Sequence, residues 1–159
     1  MNNEFRLLLA LIDEAYERKS WHGTNLRGSI RGLTAEEASW RPSKGRHNIR
    51  EIVVHAAYWK YTIRRRLTAE KRGSFPLKGS NWFARPSPGG TGSWEEDVEL
   101  LRAEHRSMRS AIAGLAPDML YRRGAGSTVA NDHLIRGIAA HDLYHAGQIQ
   151  LLKRLQRQG

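Results

Sequence analysis

Apolar residues return every three or four positions in four stretches of the chain, and this spacing predicts amphipathic helices. The stretches cover residues 5–33, with a bend expected near Gly23, then 48–72, 93–117 and 128–156. No segment shows the convincing alternation of apolar and polar residues that marks a half-buried strand. The pattern therefore predicts an all-α protein, a four-helix bundle built as a single domain over residues 1–159.

Capping signals sharpen the expected helix boundaries. Thr34 with Glu37, and Ser93 with Glu96, fit the capping box, in which each side chain bonds the backbone N–H of the other residue. The first pair predicts one short helical turn, and the second predicts the start of the third long helix. Gly73 is the expected stop signal of the second long helix.

The connection between the second and third long helices, residues 73–93, is predicted to be a long crossover loop. It contains three of the five prolines and five glycines, a composition that disfavours regular structure. A loop of this length can cross the whole bundle, so the topology need not be simple up-and-down. Trp82 and Phe83 would be unfavourable in water, which suggests a covering loop packed on the bundle, with a purely structural crossover as an equal alternative.

Charge and the N-terminus narrow the function classes. The net charge of +10 attracts polyanions and keeps nucleic acid among the candidate partners. The cations are nevertheless spread at helical spacing, which favours solvated helix faces over a dedicated nucleic-acid surface. The N-terminal apolar run, residues 7–12, is too short for a secretory signal or a spanning helix, so we expect no membrane partner and a cytoplasmic location.

Two histidines lie on the predicted inner seam of the fourth long helix. The seam follows a spacing of four and three through Leu134, Ile138, His141, His145, Gln148, Leu152 and Leu155. His141 and His145 are one turn apart and about 40° apart around the axis, so both imidazoles can reach one ion. The alternative is a pair of hydrogen-bonded core residues, which inward histidines more often are.

A metal site needs a third ligand from another helix, and with no cysteine in the chain it must be His, Asp or Glu. His55 lies at the edge of the second helix's apolar stripe, and His105 lies on that of the third. Spacing alone does not choose between them. No Glu stands three residues before a His, and HExxH is absent, so the di-iron bundle and zincin motifs are missing.

Two strings on the second and fourth helices, WRPSKGRHNIREIVVHAAYWKYTIRRRL and HDLYHAGQIQLLKRL, resemble the DinB-like superfamily of bacterial metal-binding four-helix bundles. The resemblance extends over nearly the whole chain. In that family one histidine of the second helix joins two on the fourth, which implies His55, His141 and His145 as ligands and His105 as a packing residue. Together with five tryptophans in a small bundle, the resemblance also implies a homodimer.

The resemblance implies one divalent metal ion, with zinc or nickel favoured. Three imidazoles leave an open coordination position for water, as in catalytic zinc sites. Activities assigned in the family include transfer of low-molecular-weight bacterial thiols, a thiol-dependent isomerisation and metal-dependent hydrolysis. We therefore expect a thiol-transferase or hydrolase acting on a small molecule. A non-catalytic protein that binds metal and a small ligand is the alternative, and a basic nucleic-acid-binding bundle is less favoured.

Other residues are candidate helpers at such a site. Gln148 is placed to hydrogen-bond the metal-bound water or a histidine, with simple packing in the seam as the alternative. Asp142 is a candidate to orient an imidazole or to pair with an arginine, and Tyr58 and Tyr144 are expected to form walls. Because ligands must be neutral and free imidazole titrates at about 6.5, we expect metal affinity to fall below about pH 6.

Overall fold

The computed structural model describes residues 3–85 and 92–158, most of which are helical. The helices are α1 (Asn3–Tyr16), α2 (Leu26–Ile30), α3 (Ala35–Ser39), α4 (Ile49–Thr68), α5 (Trp94–Ala113) and α6 (Asn131–Gln158), with a 3-10 turn at Pro117–Met119. The described residues form no strand, and their β-type pairing is an isolated bridge between Arg123 and Ala130. The all-α prediction is confirmed, with α1, α4, α5 and α6 as the long helices.

Helices α4 and α5 lie side by side and run parallel. Arg50 pairs with Asp97 near the N-termini of both helices, and Arg64 pairs with Glu104 further along both. Two parallel neighbours cannot be joined by a tight turn, because the chain must return over the length of the bundle. The connection after α4 therefore crosses the bundle, as its length in the sequence predicts.

Helix α6 runs antiparallel to α4. Ile52, early in α4, lies beside Gln148, whereas Ile63, late in α4, lies beside Leu134 at the start of α6. Helix α1 completes the bundle against α5 and α6. Side chains on α4 and α6 consequently face each other along most of both helices, and this contact positions the site described below.

Helix α4 is the central helix of the bundle. Every residue of the stretch 49–57 is buried, because α3, α5 and α6 all contact this helix. Asn48 caps the N-terminus, where its side-chain oxygen accepts a hydrogen bond from the backbone N–H of Glu51. The C-cap is Ala69 in the left-handed region, with φ of 56°. The helix thus ends one turn before the predicted end near Arg72, at a residue that carries no glycine signal.

The first predicted stretch, residues 5–33, divides into two helices, α1 and α2, and α3 is the short turn predicted after it. Its stripe is buried through α1, but the helix ends at Tyr16, and Trp21, which the sequence placed on the continued stripe, is 100% exposed. Asn25 caps α2. The capping box of Thr34 and Glu37 is present at the start of α3, and that of Ser93 and Glu96 is present at the start of α5, as predicted.

The buried face of α6 is rotated from the predicted seam. Ile135, Asp142 and Ile149 are buried although the seam left them out, whereas Leu155 is 41% exposed. The cause is a third neighbour: α6 packs on α2 as well as on α1 and α4, so its buried face is wider than a two-helix seam. His141 therefore lies half-buried at the edge of this face.

Two hydrophobic clusters fill the bundle, and a polar layer separates them. One cluster includes Ile63, Met108 and Ile138, and the other includes Ala56, Leu101 and Ile149. Between these levels each long helix contributes polar side chains. We call this set the polar layer: Tyr16, His55, Lys60, His105, His141, Asp142 and His145. Among the described residues, no helix combines the length and apolar character needed to cross a bilayer.

Candidate metal centre

Three imidazoles of the polar layer face one another between α4 and α6. The Nε2 atom of His141 lies 3.1 Å from Nε2 of His55 and 3.1 Å from Nε2 of His145. One ligand atom from each ring lies within 4.8 Å of the others. Around a tetrahedral zinc ion with bonds of about 2.05 Å, ligand nitrogens lie about 3.3 Å apart, so the two short separations suit a shared ion.

The outer nitrogens of two of these rings are held by carbonyl oxygens. His55 Nδ1 lies 2.8 Å from the backbone oxygen of Asn81, and His145 Nδ1 lies 2.7 Å from Oε1 of Gln148. A carbonyl oxygen only accepts, so in the neutral ring each Nδ1 donates its hydrogen and each Nε2 presents a lone pair. Histidines that bind metals usually have this outer hydrogen bond.

His141 lacks an outer partner. Its Nδ1 atom is buried and makes no hydrogen bond within the part of the chain that the structure describes. Its Nε2 atom faces the lone pairs of both His55 and His145. A hydrogen on that nitrogen could serve only one of the two, and would leave the other lone pair without a donor. A cation among the three Nε2 atoms would satisfy all of them, so this donor set fits a divalent metal.

Burial favours the neutral form of the three imidazoles. Burial, with repulsion from the neighbouring histidines, lowers the pKa of His141 to about 3 and, against the hydrogen bond to Gln148, that of His145 to about 4. Burial also lowers the pKa of His55, against the opposing effect of its hydrogen bond to Asn81. Metal ligands must be neutral, so all three shifts are in the direction that favours metal binding at acidic pH.

The loop after α4 covers one side of the site with aromatic rings. Trp82 stacks on His55 with ring centroids 3.9 Å apart, and His47 stacks on Trp82 at 3.7 Å. Trp59 Nε1 donates to the side-chain oxygen of Asn81 at 3.0 Å. Through residue 85 the segment is thus a covering loop packed on the bundle. Residues 86–91, which the sequence placed in the same loop, lie outside the described residues.

Glu51 anchors this covering loop. Its carboxylate accepts hydrogen bonds from Arg41, from Nδ1 of His47 and from the backbone N–H of Arg85. Burial alone would raise its pKa, but these hydrogen bonds lower it to about 2. The carboxylate stays charged and ties the start of α4 to the end of the loop, which holds Trp82 against His55.

Gln148 and Tyr144 lie beside His145. Gln148 accepts from His145 through its oxygen and donates through its Nε2 to the Tyr144 hydroxyl at 3.1 Å. Tyr144 is 64% exposed, and its ring centroid is 5.1 Å from that of His145. Tyr58 lies elsewhere, half-buried against Phe83 at a centroid distance of 5.4 Å. The amide is therefore placed to fix the orientation of a histidine.

Asp142 is paired with neither an imidazole nor an arginine. Its carboxylate accepts a hydrogen bond from Lys60 Nζ at 2.5 Å, with side-chain exposures of 0% for Lys60 and 1% for Asp142. His105 is also apart from the three facing histidines. It stacks on Tyr16 at a centroid distance of 3.6 Å, and neither of its ring nitrogens has a hydrogen-bond partner among the described residues.

Sequence reasoning missed two contributors to the polar layer and its surroundings. Asn81 bonds His55 through its backbone oxygen, which any residue type supplies, so no side-chain pattern marks it. Lys60 was grouped with cations on a solvated face. The signal that could have placed it is its spacing, four residues after Ala56 and three before Ile63, on the buried stripe of α4.

Two cavities lie near the three histidines. One, of about 380 Å³, is lined by Trp82 and Gln148, which contact His55 and His145, together with leucines of α6. The other, of about 180 Å³, is lined by Trp59 and by His141 itself. We call the second the small cavity. Of these two cavities, it is the one whose wall includes one of the three histidines.

The fold and this group define a class of protein: a helical bundle with three convergent histidines on two facing helices. The family model of the DinB superfamily matches residues 20–149, which is most of the chain. The chain therefore belongs to the DinB superfamily, and the resemblance drawn from its sequence is confirmed. No curated protein and no solved structure matches it at a significant level.

Proposed function

We propose that this protein binds one divalent metal ion through His55, His141 and His145 and uses it in a reaction of the thiol-transferase or hydrolase type. The observation that carries the proposal is the meeting of three neutral imidazoles within 4.8 Å, with converging nitrogens that no single described donor can satisfy together. Buried polar groups are usually paired donor with acceptor, whereas here three acceptors converge on one point. Zinc and nickel are both ions that imidazole suits.

Each neighbour of the histidines has a definable part in this proposal. When bound, a divalent ion with an open coordination position lowers the pKa of a bound water or thiol and polarises a carbonyl oxygen. Gln148 and the Asn81 carbonyl hold two imidazole rings in the orientation that presents Nε2. Trp82 covers one face of His55 and keeps water from it.

The surroundings favour a nucleophile that needs no protein base. The group of potential ligands found among the described residues contains no carboxylate, and Asp142, next to His141 in sequence, is already paired with Lys60. A thiol is a strong nucleophile once deprotonated, and its pKa is within reach of a nearby cation. Within the proposal, transfer of a small thiol therefore ranks ahead of hydrolysis.

Elemental analysis followed by a turnover screen tests the proposal. Purified protein should hold about one ion per chain. Because burial lowers the pKa of all three imidazoles, the protein should keep the ion to a more acidic pH than free imidazole would allow. The His141→Ala protein is the control and should lack the ion. The loaded protein is then screened with small thiols plus electrophiles, and with esters and amides. Metal-free wild-type protein would overturn the site, and metal without turnover would favour the non-catalytic alternative.

We also propose a homodimer located in the cytoplasm. Tyr144, Leu151 and Leu155 recur on one face of α6 and are 64%, 57% and 41% exposed. Apolar surface of this kind is commonly covered by a second subunit. Light scattering should give twice the mass of the chain at micromolar concentration, and the mass of one chain would count against the dimer.

A further inference from the structure

A strongly basic cleft lies between the C-terminal half of α4 and residues 72–80. Its volume is about 550 Å³. Four cationic side chains line it, and no aspartate or glutamate does: Arg65, Arg66, Arg72 and Lys78. We call it the basic cleft.

The cations of the basic cleft have no neutralising partner among the described residues. Arg64, next to them on α4, pairs with Glu70 and Glu104. None of the four forms an ion pair with a described residue, and the Nε atom of Arg66 is buried without a hydrogen-bond partner there. Grouping like charges in this way is unfavourable without a counter-charge. The arrangement therefore suits a ligand that supplies negative charge.

A second cleft shows that grouped cations without acidic neighbours are not a general feature of this arginine-rich surface. That cleft has a similar volume, about 630 Å³, and lies between α2 and α5. Its Arg27 pairs with Glu17 at 2.8 Å, and its Arg102 pairs with Glu99 at 2.9 Å. Two of its three arginines are thus paired with acidic side chains, and two glutamates line it, whereas no acidic side chain lines the basic cleft and none of its four cations is paired within the described residues.

The basic cleft lies next to the small cavity. Trp59 and Arg66 line both the basic cleft and the small cavity, and His141 lines the small cavity. The remainder of the small cavity is mostly apolar, with Ile63 and Leu134 among its walls. Trp59 and Arg66 therefore stand between the unpaired cations and the space beside His141.

We propose that the basic cleft binds the anionic end of an elongated small molecule whose other end reaches the metal centre through the small cavity. This inference rests on the proposed metal-binding function. The ligand carries two or more negative charges, as carboxylates or phosphates, which guanidinium groups recognise by paired hydrogen bonds. The part that passes Trp59 and Ile63 is narrow and uncharged. A nucleic acid is the less suitable occupant, because its binding surfaces usually extend over about 1,000 Å² or more.

Calorimetry with two simple anions tests the cleft without relying on metal. Inorganic pyrophosphate probes for phosphate and malonate for carboxylate. At least one should bind the wild-type protein, and the stronger identifies the anionic group. The Arg65→Gln, Arg66→Gln protein should bind it at least about 10-fold more weakly. The matched control is Arg154→Gln, Arg157→Gln, which removes the same charge near the end of α6 and should bind as wild type.

The fold of the cleft variant is checked by its melting temperature. The backbone oxygen of Arg66 accepts from the Ala125 N–H, a bond that a side-chain replacement retains. If the double variant unfolds, Arg65→Gln with Arg72→Gln replaces it, with the same expected loss. Failure of both anions to bind wild-type protein, or an equal loss in the control, would overturn the inference.

A second measurement tests the connection between cleft and metal. Cobalt-loaded protein is titrated with thiols, and coordination is followed by the thiolate-to-cobalt absorption band. Coenzyme A is compared with pantetheine, which has the same thiol arm without phosphates, and glutathione with its monoethyl ester. At least one charged thiol should bind about 10-fold more tightly than its less charged counterpart, and only the cleft variant should lose this advantage.

The two possible failures are distinguishable. Protein that takes up no cobalt fails the proposed function, and with it the claim that the ligand reaches a metal. Cobalt-loaded protein that binds both members of each pair equally refutes the cleft inference and leaves the metal site intact.

Discussion

The polar layer contains a buried ion pair whose opposite charges neutralise each other, although Oδ1 of Asp142 has no hydrogen-bond partner among the described residues, and a group of three histidines without such a counterpart. Lys60 and Asp142 neutralise each other at 2.5 Å, and the ammonium lies 5.2 Å from the ring centroid of Tyr16. Burial favours the neutral form of both charges, and their mutual attraction opposes it. The three facing histidines are instead incomplete, because their Nε2 lone pairs meet one another.

The difference shows which kind of polar burial indicates a binding site. Burial alone does not, since the Lys60–Asp142 pair is as buried as any residue in the bundle. A missing partner alone does not either, since His105 lacks partners but stacks by itself on Tyr16. What distinguishes the metal centre is the convergence of several acceptors on one point.

The largest effect is expected from removing a converging acceptor. Replacing His55, His141 or His145 with Ala should remove most bound metal, whereas His105→Gln should retain it. Loss of a ligand should cost more than the roughly 10- to 100-fold in affinity typical of an orienting partner. Elemental analysis after dialysis against a weak chelator measures this. Metal retained by His55→Ala, or lost from His105→Gln, would move the third ligand to α5.

Breaking the Lys60–Asp142 pair should lower the stability of the fold more than it lowers metal binding. Lys60→Met leaves a buried carboxylate unpaired and should lower the free energy of unfolding by about 3–5 kcal/mol. Adding Asp142→Leu should restore most of it, since apolar residues often replace a buried ion pair without loss. Urea unfolding of metal-free protein measures both, with exposed Lys71→Met as the control. A loss no larger than in that control would show that water or a shifted neighbour compensates Asp142.

A smaller effect is expected from the hydrogen bond that orients His145. Gln148→Leu removes the acceptor of its Nδ1–H and should weaken metal binding about 10- to 100-fold. Gln148→Glu keeps an acceptor oxygen and should bind metal at least as well as wild type. Chelator competition measures both affinities. If the leucine variant matched wild type, packing alone would fix the ring.

Most of the fold follows from local sequence, because helical stripes and caps depend on neighbouring residues. Both capping boxes form where predicted. The predictions are wrong where contacts between distant residues determine the structure. The buried face of α6 differs from the predicted seam because α6 also packs on α2, and α4 ends at Ala69 without a glycine. Lys60 and Asp142 are both charged residues in buried positions. Their burial is explained only by their pairing with each other, across 82 positions of the sequence.

The candidate site was only partly predictable from spacing along the sequence. The spacing of His141 and His145 on one helix is local information. The third ligand could not be chosen from spacing, because His55 and His105 both lie on or beside apolar stripes. The family resemblance favoured His55. In the structure His55 faces α6, whereas His105 faces Tyr16 on α1. The helix that lies opposite a residue is determined by how the helices pack, and spacing along one helix does not show this.

The smallest effect is expected at His105, the isolated imidazole. Burial lowers its pKa to about 2, so the ring is neutral in the folded protein. Phenylalanine can keep the stack on Tyr16 while removing two buried nitrogens that lack partners. At neutral pH, His105→Phe should therefore retain metal and change the free energy of unfolding by no more than about 1 kcal/mol, in the stabilising direction.

The stability difference between the His105→Phe variant and the wild type should depend on pH. In the wild type the unfolded chain binds a proton at His105 below its ordinary pKa of about 6.5, while the folded chain does not, so stability falls as the pH drops from there towards 2. The phenylalanine variant lacks this loss, and its advantage should grow between about pH 6.5 and pH 4.5. Urea unfolding of metal-free protein at both pH values measures it, with His105→Ala as the control that loses the stack and opens a cavity. An advantage that is independent of pH, or metal lost from the phenylalanine variant, would show that the His105 imidazole has a polar role and would remove the contrast between an isolated and a converging histidine.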